Sequence, residues 1–115
     1  MATLSVRIAL DEGGRIGPGK VALLEEIAAC GSISAAGRAM EMSYRRAWEL
    51  VEDMNTIFAA PVVERQVGGK NGGGATLTPL GRSLVARFRA IEKAADAAAR
   101  RHLDELQREA AKVGA

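Results

Sequence analysis

The chain predicts a mainly α fold with a small β component. Three observations carry that reading: helical spacing of apolar residues at Val21, Leu24, Ile27 and Ala28 and again from Ala47 to Phe58; a β-branched run from Val62 to Val67 facing Ala75, Thr76 and Leu77; and a stretch from Leu80 that only Gly81 interrupts before Gly114. With 115 residues the chain makes one compact unit, and 3% aromatic content means that its core is built from Ala, Leu, Val, Ile and Met.

The elements follow in order. Leu4, Val6, Ile8 and Leu10 alternate with polar or small residues, which predicts an N-terminal strand with one buried face, and residues 11–14 read as a turn. Pro18 suits the first turn of a helix that Gly31 would cap. Ser34 is the expected N-cap of a second short helix, with Ile33 stapling onto the core and small residues at Ala35, Ala36, Gly37 and Ala39 letting another helix cross closely. After a turn at Glu41 and Met42, Ser43 should cap a third helix from Tyr44 to about Phe58. At about 100° per residue, Ala47, Leu50, Val51, Met54 and Phe58 fall on one side and Arg45, Glu49, Glu52 and Thr56 on the other.

Two short helices, a tight turn and a hairpin with a glycine-rich tip are the parts of a winged helix-turn-helix, whose second helix enters the DNA major groove. The expected function is therefore sequence-specific binding of double-stranded DNA by a transcriptional regulator. The helix of residues 43–58 would be the reading element and residues 68–74 a wing on the backbone. Arg45 and Arg46 can anchor phosphates, or one can make the bidentate contact to guanine; Glu49 can accept from a cytosine amino group or lie on solvated surface. Tyr44 flanks the reading face, Asp53 faces away, and Trp48 at the border has a packing role against the wing or second helix. In the wing, five glycines with Lys70 and Asn71 cannot pack a core, so the tip should stay mobile until a phosphate backbone orders it; Arg65 projects from the adjoining strand. A Walker-type loop fails on spacing, because Glu64 stands five residues before Gly69 and Asn71 follows Lys70.

Thr78 and Pro79 open the last helix. It would run ~50 Å at 1.5 Å per residue, longer than a small domain is wide, and so needs a partner. Leu84, Phe88, Ile91, Ala95 and Ala98 are spaced as a packing seam, resumed at Leu103, Leu106, Ala110 and Val113 after a shift of register. The expected division is a winged helix-turn-helix over residues 1–78 and a dimerisation helix over 79–115, giving a homodimer on two DNA half-sites. A helix folded back on its own domain is the alternative.

Composition narrows the function classes. Sixteen basic residues against fourteen acidic give a net charge of +2, so DNA binding must rest on local placement of charge. Cys30 is alone, excluding an internal disulfide, and reads as a small buried hydrophobe in a cytoplasmic protein; no apolar run reaches membrane-spanning length, so no membrane partner is expected. Ser, His and acidic residues show no nucleophile-and-base arrangement, and the single histidine, His102, sits on a helix surface, so neither an enzyme, a metal site nor a cofactor is expected. The rival class is a protein-interaction module or a partner subunit of a larger regulator, using the winged helix and the long helix.

The runs Gly31-Ser32-Ile33-Ser34, Ser43-Tyr44-Arg45-Arg46-Ala47-Trp48, Asp53-Met54-Asn55, Val63-Glu64-Arg65, Gly68-Gly69-Lys70-Asn71-Gly72-Gly73-Gly74-Ala75 and Leu77-Thr78-Pro79-Leu80-Gly81 resemble the N-terminal DNA-binding domain of ModE-type molybdate-responsive regulators. The helix-turn-helix part resembles LysR-type regulators more loosely. The resemblance implies a dimeric winged helix that contacts DNA around Ser43 to Arg46 and around Lys70. Members that sense molybdate do so through an additional C-terminal oxyanion-binding domain; this chain runs only to Ala115, so DNA binding is expected without direct molybdate binding.

Overall fold

The computed structural model describes residues 1–66 and 74–113. In chain order they form β1 (Ile8–Ala9), β2 (Arg15–Ile16), α1 (Pro18–Cys30), α2 (Ile33–Ala39), α3 (Tyr44–Phe58), β3 (Val63–Gln66), β4 (Gly74–Leu77) and α4 (Pro79–Val113). The winged helix-turn-helix expected from the sequence is the fold observed. Lys70 and Asn71, and the wing tip from Gly68 to Gly73, lie outside the described residues.

The N-terminus departs from expectation. Only Ile8 and Ala9 form strand, and they pair antiparallel with β2 in the register Ile8 to Ile16 and Ala9 to Arg15, across a turn in which Glu12 and Gly13 take positive φ. The alternation of Leu4, Val6, Ile8 and Leu10 does not mark a buried sheet face: Val6 and Ile8 are half-buried, whereas Leu4 and Leu10 are exposed. Before β1 the chain runs beside α4, where the Arg100 guanidinium donates to the Ala2 carbonyl at 2.8 Å and is held in turn by Asp96 and Asp104.

In α1, Val21, Leu23, Leu24 and Ile27 are buried, while Ala28 is exposed; the buried stripe passes through Leu23 instead. Gly31 ends the helix in the left-handed region at φ 71°, its N–H donating to the Ile27 carbonyl. Cys30, expected to be buried, is exposed, with its Sγ 3.6 Å from Glu26 Oε2. It stands in the last turn, one step past the stripe. α2 and α3 cross closely at Gly37, where an added Cβ would lie 3.4 Å from both the Ala47 Cβ and the Met42 carbonyl oxygen, an ordinary van der Waals distance.

The hairpin pairs β3 with β4, Val63 opposite Leu77 and Arg65 opposite Ala75. It is tied at both ends: the Ala75 N–H donates to the Gly31 carbonyl at 2.8 Å, and the Thr78 N–H to the Val62 carbonyl at 3.0 Å. The Thr78 hydroxyl accepts from the Gly81 N–H and so caps α4. Phe88, 1% exposed, carries α4 into the core shared by α1, α3 and the hairpin, and Arg89 bonds the Glu25 carboxylate of α1 through two nitrogens. Past that point the described length of α4 leaves Ile91 and Leu106 exposed at 44% and 66%. Among the described residues no helix is long and apolar enough to cross a membrane.

Candidate nucleic-acid interface

The site is built around the start of α3. The Ser43 hydroxyl accepts from the Arg46 N–H at 3.0 Å, an N-cap that fixes the first turn and the direction in which Tyr44, Arg45 and Arg46 leave it. Ala47, Val51 and Met54 are fully buried beneath, while Arg45, Glu49, Glu52 and Thr56 are exposed on the opposite side. The helix thus presents a polar face clear of its own core.

On that face Glu49 accepts from Arg45 Nε at 3.2 Å and lies 3.7 Å from Arg46 Nη1. Arg45 is 90% exposed, and such solvated pairs are worth only about 0–1 kcal/mol, so a stronger anion displaces Glu49 at little cost. At one margin the wing strand meets the helix: Arg65 donates to the Tyr44 hydroxyl at 3.3 Å, and its guanidinium sits 5.0 Å from the centre of the Trp48 ring. Trp48 is half-buried and faces the wing strand.

Ser34 does not cap α2. The cap is Ser32, whose Oγ accepts from the Ala35 N–H at 2.9 Å; Ser34 lies within the helix and its hydroxyl accepts from Arg38 at 2.8 Å. Both serines carry the same capping hydroxyl, and the backbone leaves the extended region at Ser32, which makes that residue the cap. Ser32, Ser34, Tyr44, Arg65, Gly74 and Ala75 nonetheless line one cavity of about 250 Å³ between α2, the start of α3 and the root of the wing. Hydroxyls and a guanidinium converge there, the donor set that suits a phosphate oxygen. Asn55, which the sequence reading left without a role, accepts from the Val62 N–H at 2.8 Å and sets where β3 departs from α3. Asp53 is exposed and paired with Lys20. Among the described residues no cluster of three or more His, Cys, Asp or Glu is placed to hold a metal ion.

A family model described as bacterial regulatory helix-turn-helix protein, lysR family, matches residues 19–82. Molybdenum-pterin-binding protein MopB of Rhodobacter capsulatus is 54% identical over 80 residues, covering 70% of this chain and 30% of that protein. Transcriptional regulator ModE of Haemophilus influenzae is 42% identical over 75% of this chain and 34% of its own length, and the DNA-binding transcriptional dual regulator ModE of Escherichia coli K12 is 43% identical over 59% and 26%. The chain spans about a third of the length of the first two of these curated relatives. Among solved structures, the DNA-binding domain of CbnR in complex with DNA covers 81% of this chain and 95% of its own, with a TM-score of 0.56 at 18% identity, a likeness of fold.

Proposed function

The chain belongs to the lysR family of bacterial regulatory helix-turn-helix proteins, and from that premise we propose that it is a sequence-specific DNA-binding transcriptional regulator acting as a homodimer in the cytoplasm. The observation that carries this reading is α3 itself, capped at Ser43, buried along Ala47, Val51 and Met54, and clear on the face that holds Arg45, Arg46 and Glu49. In this reading Arg45 and Glu49 address base edges. Ser34, Ser43, Tyr44, Arg46 and Arg65 grip the backbone, and Lys70 and Asn71 extend that grip along the wing. Residues 1–78 form the DNA-reading unit, and residues 79–115 the helix through which two copies pair.

The likeness to MopB and to the ModE proteins supports a link to molybdenum metabolism. The chain's counterpart is the N-terminal part of those relatives, and the residues described here offer DNA chemistry, so we assign no molybdate site to it. Selection of duplexes from a random pool, followed by affinity measurements from low to high salt, tests the reading. An inverted-repeat consensus with a steep salt dependence is expected. A folded protein that enriches no sequence would overturn the proposal in favour of a partner-binding module.

A further inference from the structure

We propose that a second basic pocket, between the N-terminal hairpin and the starts of α1 and α3, seats a phosphate-type oxyanion, a phosphodiester of the DNA strand on the far margin of the recognition helix. The inference rests on the DNA-binding reading above and adds to it a contact that makes β1–β2 a second wing.

The pocket has a volume of about 270 Å³, and Arg7, Arg15, Lys20 and Arg46 line it together with Gly17 and Gly19. Four cations converge there, and no acidic side chain lines it. Lys20 is held in place: its ammonium donates to the Arg15 carbonyl at 2.8 Å and pairs with Asp53, pinning the hairpin to α1. Arg46 has one weak partner, Glu49 at 3.7 Å. Arg7 and Arg15 are exposed and make no ion pair among the described residues. Uncompensated guanidinium groups held close together repel one another, and an anion between them relieves that repulsion.

The backbone around the pocket is equally open to an anion. The hairpin register carries Arg7 over Gly17, where an added Cβ would lie 3.1 Å from the guanidinium, so Arg7 lies close across the start of α1. Gly17 offers no side chain to cap α1, Pro18 has no N–H, and Gly19 has open space around it, so the first-turn N–H groups of Gly19 and Lys20 lack a side-chain acceptor.

Position decides which anion. At about 100° per residue, Tyr44 and Trp48 fall on one margin of the reading face of α3, and Arg46 and Leu50 on the other. The wing strand, through Arg65, occupies the first margin, and the basic pocket, which Leu50 also lines, occupies the second. A helix in the major groove has a phosphate strand on each side, so basic groups on both margins match both strands.

Two substitutions test this on the duplex selected by the parent protein. Arg7→Gln and Arg15→Gln should each lower the slope of log affinity against log salt by about 0.9 per lost phosphate contact, a loss of roughly five- to tenfold at low salt, with base preference unchanged. Arg101→Gln, which removes an exposed charge from α4, should leave the slope alone. Unchanged thermal unfolding of the variants separates a lost contact from a lost fold. A second arm titrates inorganic phosphate into the DNA-free protein and follows the amide resonances of Gly19 and Lys20. Saturable shifts that Arg15→Gln abolishes, with an unchanged salt slope, would keep the oxyanion seat and give it a free anion as occupant. Parental slopes in both variants, together with silent amides, overturn the proposal. Failure of the parent to bind any duplex would instead remove the DNA reading, and the phosphate titration would then decide the seat alone.

Discussion

Arg45 illustrates how a single side chain can be exposed, ion-paired and still available. Its only described partner is the Glu49 carboxylate at 3.2 Å, and both groups are solvated. Arg45→Ala should therefore leave stability within about 0.5 kcal/mol, the usual range for surface changes, while weakening DNA binding by about 1–3 kcal/mol and relaxing preference at one base position. Affinities for a panel of single-base variants of the selected duplex check this; uniform weakening across the panel would reassign Arg45 to the backbone. Gly81 makes the opposite case. An added Cβ would stand 2.1 Å from the Val62 carbonyl oxygen and 3.1 Å from its carbon, backbone atoms that the Thr78 N–H already holds. Gly81→Ala should destabilise the fold by about 1–3 kcal/mol or more, read from chemical unfolding, with DNA affinity lost only through unfolding. Such a residue is hardly legible in sequence, because glycine near a helix start reads as tolerance and the clash partner lies nineteen positions away in the chain.

At the scale of elements, helix starts decide the interface. Ser43→Ala removes the acceptor of the Arg46 N–H and should cost about 0.5–2 kcal/mol of thermal stability, and the looser first turn should weaken DNA binding beyond that. The boundaries of α3 were legible, since a capping serine, helical apolar spacing and a following Pro61 agree on them. The cap of α2 was not, because Ser32 and Ser34 offer the same chemistry two residues apart. The N-terminal strand shrank for another reason: alternation records which side chains can face a core, but only Ile8 and Ala9 find a partner strand. Of the candidate interface, the start of α3 and Arg65 could be named from the sequence, whereas Arg7, Arg15 and Lys20, which line the proposed second pocket, come together only through the hairpin register. Between α1 and α4, Arg89 holds the Glu25 carboxyl below its ordinary value of 4.5 through hydrogen bonds, against a smaller effect of desolvation. A depressed folded-state pKa contributes stability above the unfolded value that disappears as pH falls through the folded one. Arg89→Ala should therefore lower the urea midpoint slightly near about pH 7, and the difference should narrow toward about pH 3. Both side chains are more than a third exposed, so the effect stays under about 1 kcal/mol.

For the whole molecule, the shape is dominated by α4. Its 35 residues span about 50 Å, nearly the full 58 Å of the longest dimension, and the molecule measures only 31 and 21 Å along its other two axes. The helix divides its apolar stripe between two uses. Leu84 and Phe88 pack within the chain's own core; Ile91 and Leu106, further along the same seam, are 44% and 66% exposed. A helix that projects apolar residues beyond its own domain is stabilised when a second copy covers them, and a two-fold arrangement would apply one seam twice. Leu106→Asp places a charge at that seam in both copies and should raise the dimer dissociation constant at least tenfold, equivalent to about 1.4 kcal/mol, as read by sedimentation. Thermal stability of the winged domain should hardly change, because Leu106 touches no part of that core. Binding to a single half-site should survive while binding to the inverted repeat loses its cooperative gain. A variant that stays dimeric at the parental concentration would move the pairing surface off α4 and toward the apolar groove of about 240 Å³ beside it, where Leu10, Ile16, Phe58 and Leu80 converge.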